Sequence, residues 1–159
     1  ALPISKLGKY EYREYGVFFE ILLIAIIEII LEIKNFSEIF YNRHFANYLL
    51  FIISVICFYF LCLDIFKNKL YSFLGATILY TSPRIFAQSF YNNKDIVFLS
   101  FFIFLIFFSI KFIKKPVYYN ALLLSLFSAI ANNVRIIGIY VVILVAFFLI
   151  IQMLMKNKF

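Results

Sequence analysis

The sequence predicts an all-α protein: a polytopic transmembrane helical bundle with an amphipathic interfacial helix in its N-terminal outer loop. Hydrophobic residues make up 65% of the 159 residues and charged residues 14%, whereas soluble domains are about 45–50% apolar. The mean hydropathy is +1.00. The apolar residues also fall in long stretches separated by short polar turns. Because a soluble fold of this size could not bury so much apolar surface, much of the chain must face lipid.

The first segment, residues 1–45, is predicted to be an extracytoplasmic loop. Within it, residues 17–33 are apolar but carry Glu20, Glu28 and Glu32, which share a sector of about 120° on a helix. Inserting these acids into lipid costs about 7–10 kcal/mol, against a gain of about 4–8 kcal/mol from the apolar residues. An amphipathic helix at the membrane interface is therefore favoured. The alternative is a spanning helix that turns its acids into a bundle.

Residues 46–159 are predicted to form a transmembrane bundle of about five spans. The first span is uncharged and long enough for the hydrocarbon core. The second is apolar only to residue 82, which gives about 20 Å of helix, so it must continue past Pro83 or stop at a broken, protein-lined site. The predicted spans are 46–63, 70–90, 96–113, 117–132 and 136–155.

The lysines of this bundle gather in the turns on one side. If the turn with Lys67 and Lys69 is cytoplasmic, alternation of the spans places the other lysine-rich turns there as well, those with Lys111, Lys114, Lys115, Lys156 and Lys158. The net charge of +7 then reflects cytoplasmic turns and does not indicate nucleic-acid binding. Ionisable groups at the opposite edge of the membrane are candidates for function.

Two candidate groups lie between the second and third spans. Ser82 followed by Pro83 favours a helix start, and Arg84 beside it would suit a phosphate; alternatively, Arg84 extends to the headgroups as an anchor. Lys94 and Asp95 open the next span as a surface ion pair with a helix cap. In the other interpretation Lys94 contacts an anionic headgroup, and Asp95 orients it or binds the acceptor.

Arg43, His44 and Arg135 are further candidates. Arg43 and His44 precede the first uncharged span, where Arg43 contacts phosphate or anchors the interface; a lone histidine is more often structural than catalytic. Arg135 lies between two tightly joined spans, either facing the bundle at a bend or anchoring it. Cys57 and Cys62 fall within one span and indicate neither zinc nor a disulfide. The sequence contains no nucleotide-binding or soluble-hydrolase motif.

One stretch resembles a known family of membrane enzymes. Ser82-Pro83-Arg84-Ile85-Phe86, Ser89-Phe90, Asn92 and Lys94-Asp95-Ile96 look like a motif of GT-C type multi-span glycosyltransferases, similar to dolichyl-phosphate-mannose–protein mannosyltransferases and lipid-A aminoarabinose transferases. Arg43-His44 before a span, and Asn133-Val134-Arg135 with Gly138, look like that family too. The resemblance covers most of residues 10–140. It departs at Gln88, where a histidine is common, and at Asn93, where a proline is common.

The resemblance implies that a sugar arrives on a polyprenyl phosphate in the outer leaflet and passes, with inversion, to a glycan, lipid or protein acceptor. Cationic side chains, namely Arg84, Lys94 and Arg135, would stabilise the departing phosphate. The residues expected to bind the lipid phosphate are Arg43, His44, Arg84, Asn92, Lys94, Asp95 and Arg135. The catalytic base is expected to be an Asp upstream of Ala1, since the chain looks like a fragment without the first span of the family.

No cofactor or protein metal ligand is indicated, and a divalent cation is left open. The Ile, Phe, Lys and Asn usage favours a bacterial inner membrane, with the polar site facing the extracytoplasmic side. Two alternatives are a transporter or flippase half and a non-catalytic membrane subunit that binds lipid phosphate.

Overall fold

The computed structural model describes residues 36–156, with side chains within residues 41–150 apart from residue 148. Every regular element in this part of the chain is helical, which confirms the all-α prediction. The elements are α1 (Phe36–Phe66), α2 (Lys69–Thr81), α3 (Pro83–Gln88), α4 (Asp95–Lys114), α5 (Tyr118–Val134), a 3-10 turn (Ile136–Gly138) and α6 (Ile139–Lys156). The amphipathic helix predicted for residues 17–33 lies outside the described residues.

Helix α1 begins at Phe36, well before residue 46, where the first span was predicted to start. Arg43 and His44 therefore lie inside this helix and do not precede it. Helix formation needs no apolar side chains, so a polar run can extend an apolar span without a break. The helix ends where Lys67 adopts a left-handed backbone, φ 55°. Asn68 then caps α2, accepting a 2.8 Å hydrogen bond from the Leu70 N–H.

The predicted span 70–90 consists of two helices separated at Ser82. Proline disfavours the helical conformation in the residue before it, and Ser82 has ψ 113°. Helix α2 ends at Thr81, and α3 starts with Pro83, which has no N–H to lose at a first helical position. The helix is therefore broken at Ser82, and a short helix follows from Pro83.

Two helices in the described residues are long and apolar enough to cross a membrane: Tyr41–Phe66 and Asp95–Lys114. A shorter apolar segment is Ile136–Phe147. By length and composition the chain is an all-α membrane protein, whereas the number of five spans stays a prediction.

Helix α4 lies at the centre of the bundle. It packs against α1 on one side and α5 on the other, and its buried residues Val97, Phe101 and Leu105 meet Ala131 and Val134 of α5. Phenylalanine rings continue this contact, with Phe108 and Phe127 stacked at 5.3 Å between centroids. Helix α6 packs more loosely and leaves an apolar crevice lined by residues of α4, α5 and α6. Cys57 and Cys62 are free thiols.

Asp64 fixes one end of the bundle. Its carboxylate accepts hydrogen bonds from Lys67 at 2.9 Å and from Lys114 at 2.7 Å. Because Lys114 ends α4 and Asp64 lies in the last turn of α1, the two lysine-rich turns meet at this end. The start of α4 and most candidate residues therefore lie at the opposite end.

Candidate functional site

The turn from Ser89 to Lys94 is held against α1 by three side chains. Asn47 is fully buried, and its Nδ2 donates a 2.8 Å hydrogen bond to the Ser89 carbonyl. One turn earlier, His44 donates from Nδ1 to the next carbonyl, that of Phe90. The ring of Tyr48 stacks on the Phe90 ring, with centroids 4.6 Å apart. Residues three or four apart share one helix face, so one face of α1 holds the start of this turn.

Aromatic side chains connect α3 to the same face. The hydroxyls of Tyr48 and Tyr80 are 3.1 Å apart. The Phe86 ring lies edge-on to the rings of Tyr80 and Phe90, each at 5.4 Å between centroids. These contacts fix α3, and Arg84 is exposed on it.

Ser82 occupies the predicted capping position of α3, but its side chain makes no capping hydrogen bond. The helix has six residues, so few peptide dipoles add up at its N-terminus. A phosphate here would therefore depend on the Arg84 guanidinium more than on the helix end.

The start of α4 is organised by Asn92. Its Oδ1 accepts hydrogen bonds from the backbone N–H groups of Asp95, at 2.9 Å, and Lys94, at 3.2 Å. Its Nδ2 donates to Asp95 Oδ2 at 3.0 Å. This side chain therefore both caps α4 and orients the Asp95 carboxylate.

Arg135 forms an ion pair with Asp95 across the bundle. Its Nη2 donates to Asp95 Oδ1, while the other carboxylate oxygen is occupied by Asn92. Arg135 has an extended backbone, φ −150° and ψ 130°, between α5 and the 3-10 turn. The predicted bend is therefore present, and it turns Arg135 toward the start of α4.

A close approach at Gly138 sets this bend. A Cβ placed on Gly138 would lie 2.8 Å from Asn132 Oδ1 and 3.2 Å from the Asn132 backbone nitrogen. Only glycine leaves room for the 3-10 turn to fold back on the end of α5. Asn132 itself donates from Nδ2 to the Ser128 hydroxyl at 3.4 Å. This packing holds the backbone that carries Arg135.

The structure thus gathers most of the predicted residues at one end of the bundle. Asn92, Asp95 and Arg135 form one connected network, and His44 supports the turn that leads into it. Lys94 is exposed beside Asp95. Arg84 is exposed on α3.

Sequence reasoning missed the supporting residues Asn47, Tyr48 and Tyr80. The one available signal was Asn47 itself, a strongly polar residue in an otherwise apolar span and one helical turn after His44. Its importance depends on a backbone carbonyl of a distant turn, which no side-chain pattern reveals.

The charged side chains that the structure describes at this end are mostly basic. Among the side chains that the structure describes here, the only carboxylate is that of Asp95, and it shares the end with Arg43, Arg84, Lys94 and Arg135. No three His, Cys, Asp or Glu residues in the described part of the chain come together as metal ligands. The sequence left a divalent cation open, and the described part of the chain supplies no set of ligands for it.

One comparison with known proteins gives a match. A family model described as dolichyl-phosphate-mannose-protein mannosyltransferase matches residues 21–159, which includes every element described above. No match was found among curated proteins or among solved structures.

Proposed function

From the premise that this chain belongs to the dolichyl-phosphate-mannose-protein mannosyltransferase family, a family of GT-C type membrane glycosyltransferases, we propose that it takes part in sugar transfer from a polyprenyl-phosphate donor. The acceptor would be a glycan, a lipid or a protein. The observation that carries the proposal is the end of the bundle where four of the described basic side chains gather and one of them, Arg135, is paired with Asp95.

The basic side chains would bind the phosphate of the donor. As the bond between the anomeric carbon and the phosphate oxygen breaks, negative charge grows on the lipid phosphate. Fixed cations that face this phosphate lower the barrier most where water is excluded. Arg84 and Lys94 are exposed at the rim and suit direct contact with the phosphate. Arg135 is ion-paired to Asp95.

We assign Asp95 a positioning role. In an inverting transfer the acceptor hydroxyl attacks the anomeric carbon, and a base with a free lone pair takes the hydroxyl proton. Both Asp95 oxygens accept a hydrogen bond, from Arg135 and from Asn92. These contacts hold the carboxylate toward Arg135, and we therefore propose that Asp95 positions Arg135.

The sidedness of the site forms part of the proposal. The lysine-rich turns lie at the end opposite the cationic site, and lysine-rich turns are typical of the cytoplasmic face. The site would then face the extracytoplasmic side, in a bacterial inner membrane.

A transfer assay tests the proposal. Membranes that contain the native protein would receive radiolabelled polyprenyl-phosphate mannose, and labelled acceptor would be counted. We expect Arg84→Gln and Lys94→Gln each to lower kcat/KM by roughly 10²-fold, the order seen when one charge-stabilising group is removed. Lys69→Gln, at the opposite end, is the matched control and should transfer at the normal rate.

Two results would contradict this assignment. If both site variants transferred sugar like Lys69→Gln, the cationic end would not bind the donor phosphate. If vesicles accumulated the lipid-linked sugar without cleaving it, the transporter alternative would be favoured, since broken helices also occur in transporters.

A further inference from the structure

The end of the bundle opposite the candidate site is rich in lysine. We name it the lysine end and define it by Asp64 with Lys67, Lys69, Lys111, Lys114 and Lys115. The Asp64 carboxylate binds both Lys67 and Lys114, which holds the ends of α1 and α4 side by side. Five lysines and one carboxylate thereby share this end of the bundle.

The charge of the lysine end is largely uncompensated. Lys69 is exposed at the start of α2, Lys115 in the turn after α4, and Lys111 on α4. In the described part of the chain, none of these three pairs with a carboxylate; the Lys111 ammonium lies 4.4 Å from the centroid of the Phe107 ring. A ring face attracts a cation but does not neutralise it, so three ammonium groups are available to an anion.

The surface beside these lysines is aromatic and apolar. Lys115 is followed by Pro116 and then by Val117, Tyr118 and Tyr119, whose exposed fractions are 54%, 95% and 68%. Tyrosines with one apolar and one polar end are enriched at the level of the lipid headgroups. An anion from solution would gain nothing from this surface, whereas a phospholipid would contact both the tyrosines and the lysines.

We infer that the lysine end binds the phosphodiester headgroup of an anionic phospholipid. The Asp64 contacts set the spacing of the two turns, Lys111 and Lys115 contact the phosphate, and Tyr118 and Tyr119 lie beside the glycerol and upper acyl chain. This site is separate from the proposed donor site, which lies at the other end of α4. Its test therefore does not depend on sugar transfer.

Native mass spectrometry of the full chain in detergent can measure this binding. The protein would be titrated with phosphatidylglycerol, which is anionic, and with phosphatidylcholine, which is zwitterionic. We expect a clear preference for phosphatidylglycerol and a loss of about fivefold in affinity for each lysine removed. The test variant is Lys111→Gln with Lys115→Gln, because neither lysine contacts Asp64 and the link between α1 and α4 stays intact.

The matched control is Lys111→Arg with Lys115→Arg, which keeps the charge and should keep the preference. Circular dichroism would verify that both double variants retain the helix content of the parent. Equal binding of the two lipids would overturn the inference, as would a glutamine variant that binds like the parent. Displacement of phosphatidylglycerol by millimolar inorganic phosphate would also overturn it, since the end would then be a site for soluble anions.

Discussion

Asn47→Asp tests whether α1 holds the turn that leads into the site. In the parent, Asn47 Nδ2 donates to the Ser89 carbonyl at 2.8 Å, and the Asn47 side chain is fully buried. Aspartate has nearly the same shape, so the substitution opens no cavity. It replaces the donor by a carboxylate oxygen that faces the carbonyl oxygen at hydrogen-bond distance.

The expected destabilisation has two parts. The lost hydrogen bond between helices contributes about 0.6 kcal/mol in membrane proteins, with a maximum of about 1.7 kcal/mol. The larger part is a buried charge without a partner, which typically costs 3–5 kcal/mol. We therefore expect the free energy of unfolding to fall by about 3 kcal/mol or more at neutral pH.

Asn120→Asp is the matched control. Asn120 Nδ2 also donates to a backbone carbonyl, that of Lys115 at 3.0 Å, but this hydrogen bond is exposed. Water can solvate the new carboxylate there, so we expect a change within about 0.5 kcal/mol. Unfolding in mixed SDS micelles, followed by circular dichroism, measures both variants. If Asn47→Asp and Asn120→Asp lose similar stability, the Asn47 contact does not hold the turn.

Two further predictions concern the ion pair between Asp95 and Arg135 and the bend at Gly138. Asp95→Asn and Arg135→Gln should each lower kcat/KM for sugar transfer. The double variant should have a kcat/KM little lower than either single variant, because each side chain acts through the other. Additive losses in kcat/KM would refute this coupling. Gly138→Ala should lower the free energy of unfolding by about 1–3 kcal/mol, because its Cβ would lie 3.2 Å from the Asn132 backbone nitrogen as well as 2.8 Å from Asn132 Oδ1. Gly75→Ala is the control, with its nearest neighbour, a flexible sulfur, at 3.2 Å; equal losses in a thermal unfolding assay would show that the bend tolerates a Cβ.

The fold could be predicted from the sequence where one residue type determines the local structure. Apolar composition predicted the all-α membrane protein. Pro83 indicated that the second span could be broken. The start of α1 could not be predicted in the same way. The polar run with Arg43 and His44 was interpreted as the end of a loop, but the helix continues through it, because hydropathy reports the solvent of a segment and not its backbone conformation.

The site could be predicted only in part, because its residues act through contacts that are distant in sequence. Arg135 and Asp95 were each singled out, but nothing in the sequence paired them across forty positions. The roles of His44 and Asn47 depend on two backbone carbonyls in another turn. Every residue has a backbone carbonyl, so the sequence does not show which carbonyls accept a hydrogen bond from a side chain.

The position of the helix breaks supports a functional role for this end of the bundle. Helices α2 and α5 are interrupted at Ser82 and Arg135, and both interruptions contribute to the end that carries the cationic residues. An interrupted helix leaves backbone groups that lipid cannot hydrogen-bond, so side chains must satisfy them. His44 and Asn47 do so for the turn after α3. Interruptions of regular secondary structure concentrate at functional sites. The two helix breaks are explained if they bring Arg84, Lys94 and Arg135 to one edge of the membrane.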